Sequence, residues 1–298
     1  MKIGITGASG FVGSAIAKTA GERGYGVIGF SRHPERKIPG CEETRLLDLS
    51  GKMDLSGCNA VVHLAGENVF GLWTSEKKKR ILESRQAGTR NVVDAIFNSP
   101  QPPEVLVSAS AIGFYGDTGE RETDETAPPG TGFLAEVTQA WEHEAQRAAE
   151  KGIRVVLLRI AIVLGENGGA LGMMMPVFKM GLGGKIGDGR QWMSWIHRQD
   201  LCELALFAVE NRAVAGPLNA SAPEPVRNAD FTQALASAVN RPALFNVPGF
   251  LLKGALGEFS RELLDSKRVI PARPLAFGYQ FRHPKLGEAL GKICGMAP

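Results

Sequence analysis

The sequence predicts an α/β protein built on a mostly parallel sheet, and three observations carry the prediction. Short apolar runs recur at 2–6, 27–30, 60–64, 105–107 and 154–160, each of a length suited to a strand covered on both faces. Stretches of helical period lie between them, so strand and helix alternate along the first half of the chain. A glycine triplet closes the first run and opens the first helix.

Taken in order, residues 2–6 (Lys-Ile-Gly-Ile-Thr) form the first strand. Residues 14–24 form a helix with Ile16, Ala17 and Ala20 on one side. Residues 27–30 and 60–64 are the next strands, and a helix over 75–98 carries Ile81, Leu82, Val92, Val93 and Ile96. The strand at 105–107 is followed by a helix near 135–151 and then by the strand 154–160. After Gly165 the alternation is lost. Glycines crowd 181–189, which reads as a loop too irregular for the core. Residues 200–210 are helical with Asp200 as N-cap, and shorter helices near 228–239 and 249–264 are separated by prolines. Residues 1–165, with 196–221 returning, are expected to form one domain. Residues 166–195 and 222–298 are expected to form a smaller, discontinuous α+β domain over its mouth.

Composition narrows the function classes. The 298 residues include 34 basic and 31 acidic side chains, a formal charge of +3 that makes nucleic acid a poor first partner. No apolar run reaches the roughly 20 residues of a membrane-crossing helix. The first strand meets glycine too soon for the core of a secretory signal. Cys41, Cys58, Cys202 and Cys294 are scattered, without the spacing of a zinc site or a disulfide framework. These features predict a cytoplasmic protein, monomer or homodimer, whose partner is a small molecule. The run Glu76-Lys77-Lys78-Lys79-Arg80 reads as a solvated helix face and, second, as an anion-attracting patch.

The glycines give the chemistry. Gly7, Gly10 and Gly13 stand in Thr6-Gly7-Ala8-Ser9-Gly10-Phe11-Val12-Gly13, after a strand and before a helix. They suit a tight turn, a close backbone approach to a pyrophosphate and close helix-on-strand packing. The helix N-terminus offers N–H groups and a partial positive charge to phosphates. In this context the triplet predicts dinucleotide binding and a Rossmann doubly wound sheet. An NAD site usually carries Asp or Glu at the end of the second strand. Here Phe30-Ser31-Arg32-His33 stands there instead, so Arg32 and Ser31 favour a 2′-phosphate and NADP(H).

Further stretches match a known group. They are His63-Leu64-Ala65-Gly66-Glu67-Asn68, Glu83-Ser84-Arg85, the run from Ser108 through Gly116, Leu158-Arg159-Ile160 and residues 187–200. Over essentially its whole length the chain resembles the extended and atypical short-chain dehydrogenase/reductases, in the NAD-dependent epimerase-like group of family 39U. The resemblance implies that Leu64, Ala65 and Gly66 pass beneath the cofactor riboses and that Asp48 and Leu49 lie against adenine. It also places Ser9, Phe11, Val12, Arg85 and Ile160 at the cofactor, and Ser110 at the reacting oxygen. Ser110 has a second reading, as a hydroxyl satisfied inside the sheet.

The catalytic pattern of that group is broken here. Active members carry Tyr-x-x-x-Lys on the helix after the serine strand, where the tyrosine moves a proton and the lysine lowers its pKa. In Gly132-Phe133-Leu134-Ala135-Glu136-Val137-Thr138 the pair becomes Phe133 and Val137 or, one residue on, Leu134 and Thr138. Tyr115 is a substitute that reads more readily as packing. Glu67 is a second substitute: partial burial would raise its pKa, whereas pairing with Arg85 would make it structural. His197, Trp192 and Trp195 read as structural first and as pocket residues second. No nucleophile elbow or metal-ligand set is present in the sequence. The leading expectation is an NADP(H)-dependent oxidoreductase or epimerase acting on a small carbonyl or hydroxyl compound, a sugar nucleotide among the candidates. The competing one is an NADP(H)-binding sensor without turnover.

Overall fold

The computed structural model describes residues 1–48 and 53–295. Strand β1 (Lys2–Thr6) is buried beyond its first residue, and α1 (Gly13–Glu22) lays Ile16, Ala17 and Ala20 against the sheet. Next come β2 (Gly26–Ser31), β3 (Glu43–Leu46), β4 (Ala60–His63) and the long helix α2 (Ser75–Asn98). Strand β5 (Val105–Ala111) leads through a 3-10 turn, Ile112–Tyr115, to α3 (Phe133–Gln146) and β6 (Arg154–Ile160). Thr74 caps α2, its hydroxyl accepting the Lys77 N–H at 3.2 Å.

The second half is more broken. Strand β7 (Ile162–Leu164), α4 (Gly169–Lys179), β8 (Gly184–Ile186), β9 (Trp192–Met193) and β10 (Trp195–His197) precede α5 (Arg198–Glu210). Then follow β11 (Gly216–Ala220), β12 (Val226–Arg227), α6 (Asn228–Ala238), β13 (Phe245–Val247) and α7 (Gly249–Leu256). Three short helices close the chain: α8 (Arg261–Leu264), α9 (Ala272–Ala276) and α10 (Leu286–Ile293).

Seven strands form one parallel sheet in the order β11-β6-β5-β4-β1-β2-β3. The chain runs outward from β1 through β2 to β3, then returns to the other side of β1 as β4. That reversal opens a crevice at the carboxyl ends of β1 and β4, where doubly wound sheets bind ligands. Separate apolar clusters cover the two sheet faces, one including Ile16, Leu201 and Leu204, the other Val92, Ile96 and Ala145. A third core joins Leu171, Phe178, Trp195, Phe231, Leu235 and Leu290 beneath α4, α6 and α10. Trp195 is fully buried there, so it packs a core and walls no pocket.

Three expectations need correction. The cap of α5 is His197, whose Nδ1 accepts the Gln199 N–H at 3.1 Å, and Asp200 has another task. The Asp200 carboxylate is buried and accepts the N–H groups of Arg282 at 2.7 Å and His283 at 3.0 Å, tying the C-terminal segment to α5. The glycine-rich stretch 181–189 is not wholly a loop, because β8 within it pairs in parallel with β13. Strands β3 and β11 also join the sheet without any apolar run to announce them.

Candidate functional site

A cleft of about 650 Å³ opens along the carboxyl ends of β2, β1 and β4, walled on its far side by α2. It brings together Gly7, Ser9, Gly10, Ser31, Arg32, Leu64, Ala65, Gly66 and Glu67 of the expected residues. Gly7 has φ +70°, a conformation that favours glycine, and a Cβ there would press on the Leu64–Ala65 backbone at 3.1 Å. A Cβ on Gly13 would lie 2.2 Å from the Gly7 carbonyl oxygen, so α1 starts where only a glycine fits. Gly10 meets only that same carbonyl, at 3.1 Å. No side chain caps α1 at Val12; the Ser14 N–H is taken by the Gly10 carbonyl at 3.0 Å, and the partial positive charge of the helix N-terminus lies next to the glycine loop.

The floor of the cleft is fixed by a buried hydrogen-bond chain that sequence reasoning missed. Thr6 and His63 are neighbours in the β1–β4 register. The Thr6 hydroxyl oxygen accepts the N–H groups of Leu64 at 3.1 Å and Ala65 at 3.3 Å. Its own proton is then directed to His63 Nδ1 at 2.7 Å, so the imidazole proton sits on Nε2, 3.0 Å from the Thr89 hydroxyl on α2. Burial, with Arg85 nearby, pushes the His63 pKa down to about 4 and keeps it neutral. The signal was a histidine ending an apolar strand next to a turn that must be held open.

Arg32 lies at the mouth of the cleft, exposed and without an ion-pair partner among the described residues. The segment Phe30-Ser31-Arg32-His33 at the β2 end carries no carboxylate. On α2, Ala87 and Gly88 keep the wall low opposite β2. Arg85 is half-buried against the Trp141 ring at 5.1 Å, and its guanidinium donates to the Glu67 carbonyl at 3.0 Å. Burial lowers the Arg85 pKa to about 10. Arg85 thus braces the Gly66–Glu67 loop from behind the cleft. Phe11 faces the opposite way, its ring against Gly168 and beneath the Arg198 guanidinium at 4.7 Å. Ile160 ends β6 and packs on the core, two strands from β4. Asp48 follows β3, whereas Leu49 lies outside the described residues.

Of the candidate catalytic side chains, Glu67 lines this cleft, and Ser110 and Tyr115 do not. Ser110 is 2% exposed, and its hydroxyl donates to Glu142 Oε1 at 2.6 Å. Glu142 sits on α3, nine residues beyond Phe133, or roughly 13 Å along the helix at 1.5 Å per residue. Tyr115, also 2% exposed, donates to Asn219 Oδ1 at 2.7 Å and accepts from Arg159 at 2.9 Å. Burial pushes the Tyr115 pKa up to about 12. Arg159 completes the chain with two bonds to Glu142, at 2.8 and 2.9 Å, and lies 3.5 Å over the Phe114 ring. The Ser110 hydroxyl and the Tyr115 phenol are therefore satisfied inside the fold. An arginine within the apolar run Leu158-Arg159-Ile160 was the overlooked sign that a buried acid must face it.

Glu67 corrects an expectation as well. Its carboxylate accepts from Lys77 Nζ at 2.8 Å, and that hydrogen bond holds its pKa below the usual carboxylate range rather than above it. Arg85 bonds the Glu67 backbone, not the acid. Phe133 begins α3 against Trp73, ring centroids 5.0 Å apart, beside a tight space of about 20 Å³ also lined by Arg261, Asp265 and Lys267. Val137 is buried, and the Thr138 hydroxyl turns back onto the Leu134 carbonyl at 2.8 Å. Neither register of the missing pair brings in a proton-transferring group.

Residues 3–220 match the model of the NAD dependent epimerase/dehydratase family. The chain belongs to that family. Residues 247–293 match a further domain of unknown function, the family DUF1731. The epimerase family protein SDR39U1 homolog, chloroplastic, of Arabidopsis thaliana is 39% identical over 98% of this chain and 86% of its own length. The epimerase family protein YfhF of Bacillus subtilis is 35% identical, covering 98% of both chains. The crystal structure of human epimerase family protein SDR39U1 (isoform2) with NADPH is similar at a TM-score of 0.92 and 35% identity, covering 99% of both chains. Among the described residues of this family member, no helix is long and apolar enough to cross a membrane.

Proposed function

We propose that this chain binds NADP(H) in the cleft along β2, β1 and β4 and works as an oxidoreductase or epimerase on a small carbonyl or hydroxyl compound. The observation that carries the reading is the end of β2, Phe30-Ser31-Arg32-His33, where Arg32 stands without an ion-pair partner among the described residues and the Asp or Glu usual in an NAD site is replaced. Its cofactor half has support from the human relative, which was crystallised with NADPH. Gly7, Gly10 and the first turn of α1 would hold the pyrophosphate, and Ser31 with Arg32 the 2′-phosphate. Leu64, Ala65 and Gly66, fixed by Thr6 and His63, would support the riboses. When bound, NADP(H) supplies a hydride donor or acceptor. We assign Ser110, Tyr115, Glu142 and Arg159 to positioning the ends of β5 and β6 rather than to proton transfer. Four free cysteines suit a reducing compartment such as the cytoplasm.

A second reading, cofactor binding without turnover, draws support from Phe133, a ring that cannot exchange a proton. Incubation with NADPH and a broad carbonyl panel separates the two. Steady oxidation of NADPH above the protein-free rate supports the enzyme. Tight binding with no consumption across the panel supports the sensor.

A further inference from the structure

The basic run at the start of α2 is not one solvated face. Lys77 Nζ holds Glu67 at 2.8 Å, and Lys78 Nζ holds Glu258 at 2.7 Å while lying 4.6 Å over the Phe133 ring. Lys79 meets Glu83 at 3.7 Å on the open surface. Arg80 lines the cofactor cleft, four residues before Ser84 and eight before Gly88, on the helix face that forms its wall. Its bond to Glu76, 2.5 Å long, joins side chains that are 50% and 80% exposed, so water and salt weaken it and the guanidinium is easily re-aimed. Glu67 Oε1 is 3.9 Å from Arg80 Nε. Lys77 chiefly, with Arg80 and Arg32 adding to it, draws the Glu67 carboxyl below its ordinary range, so Arg80 and Arg32 both act on one carboxylate at the cleft mouth.

Charge arithmetic then asks for more than Arg32. A phosphate monoester carries about −1.5 to −2 at pH 7, and one guanidinium leaves roughly half of that unmatched. We propose that Arg80 is the second cation of the 2′-phosphate site, acting with Arg32 on the same phosphate, and that Glu67 is the anion with which that phosphate competes. The proposal rests on the reading that the cleft takes NADP(H). Glu76, the other partner of Arg80, lies outside the cleft lining, and Glu83 within it meets Lys79, so Glu67 is the cleft-lining carboxylate in reach of Arg80 among the described residues. Selectivity for the phosphorylated cofactor is thus divided between the end of β2 and the first turns of α2.

Calorimetric titration of NADPH and NADH into the unmodified protein, Arg80→Ala, Arg80→Lys and Glu67→Gln tests it. Arg80→Ala is expected to weaken NADPH about tenfold and NADH less than about twofold, the effect of losing one charge-assisted contact. Arg80→Lys is expected to recover part of the loss, and Glu67→Gln to tighten NADPH a few-fold (roughly threefold) with NADH unchanged. An Arg80→Ala protein that keeps its NADPH preference overturns the proposal, as does equal weakening of both cofactors, which would move Arg80 to the pyrophosphate. Weaker NADPH binding by Glu67→Gln overturns the competing role of Glu67. Equal affinities in the unmodified protein are a different result, and they defeat the NADP(H) reading itself.

Discussion

Ser110 and Tyr115 show how a side chain's surroundings decide what it can do. Each carries a hydroxyl suited to an active site, yet each is turned inward onto a polar partner with almost no exposed surface. Loss of either hydroxyl should therefore be felt in stability rather than in the cofactor cleft. Ser110→Ala and Tyr115→Phe are each expected to cost about 2 kcal/mol in urea unfolding, the worth of a buried hydrogen bond within a charged network. Affinity for NADPH should stay within about twofold of the unmodified protein, because neither residue lines the cleft. A variant with unchanged stability and abolished NADPH binding contradicts this placement. His63 gives a prediction of a different kind. Its folded pKa, about 4, lies below the unfolded value near 6.5, so between these limits the unfolded chain binds the extra proton. Stability should accordingly fall as pH drops from about 6.5 towards 4, by roughly 3 kcal/mol if His63 acts alone. His197, depressed to about 3 by burial first and then by His283, works in the same direction. Urea midpoints measured across that range check the sign; a midpoint that rises on acidification contradicts it.

At the scale of elements, strands buried on both faces were legible because apolar residues run through their middles, as in β1, β4 and β6, with polar residues near their ends. Strand β3 was not, since Glu43-Thr44-Arg45-Leu46 lies at the sheet edge and needs no apolar run. Strand β11 hid for a similar reason: it is the opposite edge, where Pro217 is tolerated and Asn219 is buried for its hydrogen bonds. The tight turn at Gly7 and its close approach to Gly13 were readable, because both tasks are local and steric. The partners of Ser110 and Glu67 were not. Glu142 is 32 residues from Ser110, and Lys77 is ten from Glu67 on a helix whose docking the sequence does not specify. The element-scale prediction follows from Gly13. A methyl group there would sit 2.2 Å from the Gly7 carbonyl oxygen, and the opposing atom is backbone that cannot swing aside. Gly13→Ala should push α1 off the loop, lowering stability by about 2 kcal/mol or more and weakening NADPH and NADH alike. Retained affinity for both in a stable Gly13→Ala protein would show that α1 does not shape the site.

Across the whole molecule, polar clips fasten the C-terminal segment to the sheet. Asn219 donates to the Ile270 carbonyl at 2.9 Å, and the buried Glu125 carboxylate accepts the N–H groups of Asn219 at 2.9 Å and Arg273 at 3.1 Å. On the other flank, Phe70 and Trp73 from the loop after β4 meet Phe259 edge-on at 5.1 and 5.5 Å. The C-terminal third is therefore fastened to both the β11 edge and the cleft wall, with Phe133 and Arg261 between the fastenings. The cleft and the narrow space at Phe133 are each built by residues distant in sequence. Preference of the cleft for NADP(H) over NAD(H) is checked by titrating the unmodified protein with NADPH and NADH in a calorimeter. Saturable NADPH binding at least about tenfold tighter than NADH is the predicted result, matching one phosphate held by charged donors; no heat with NADPH, or equal affinity for the two, contradicts it.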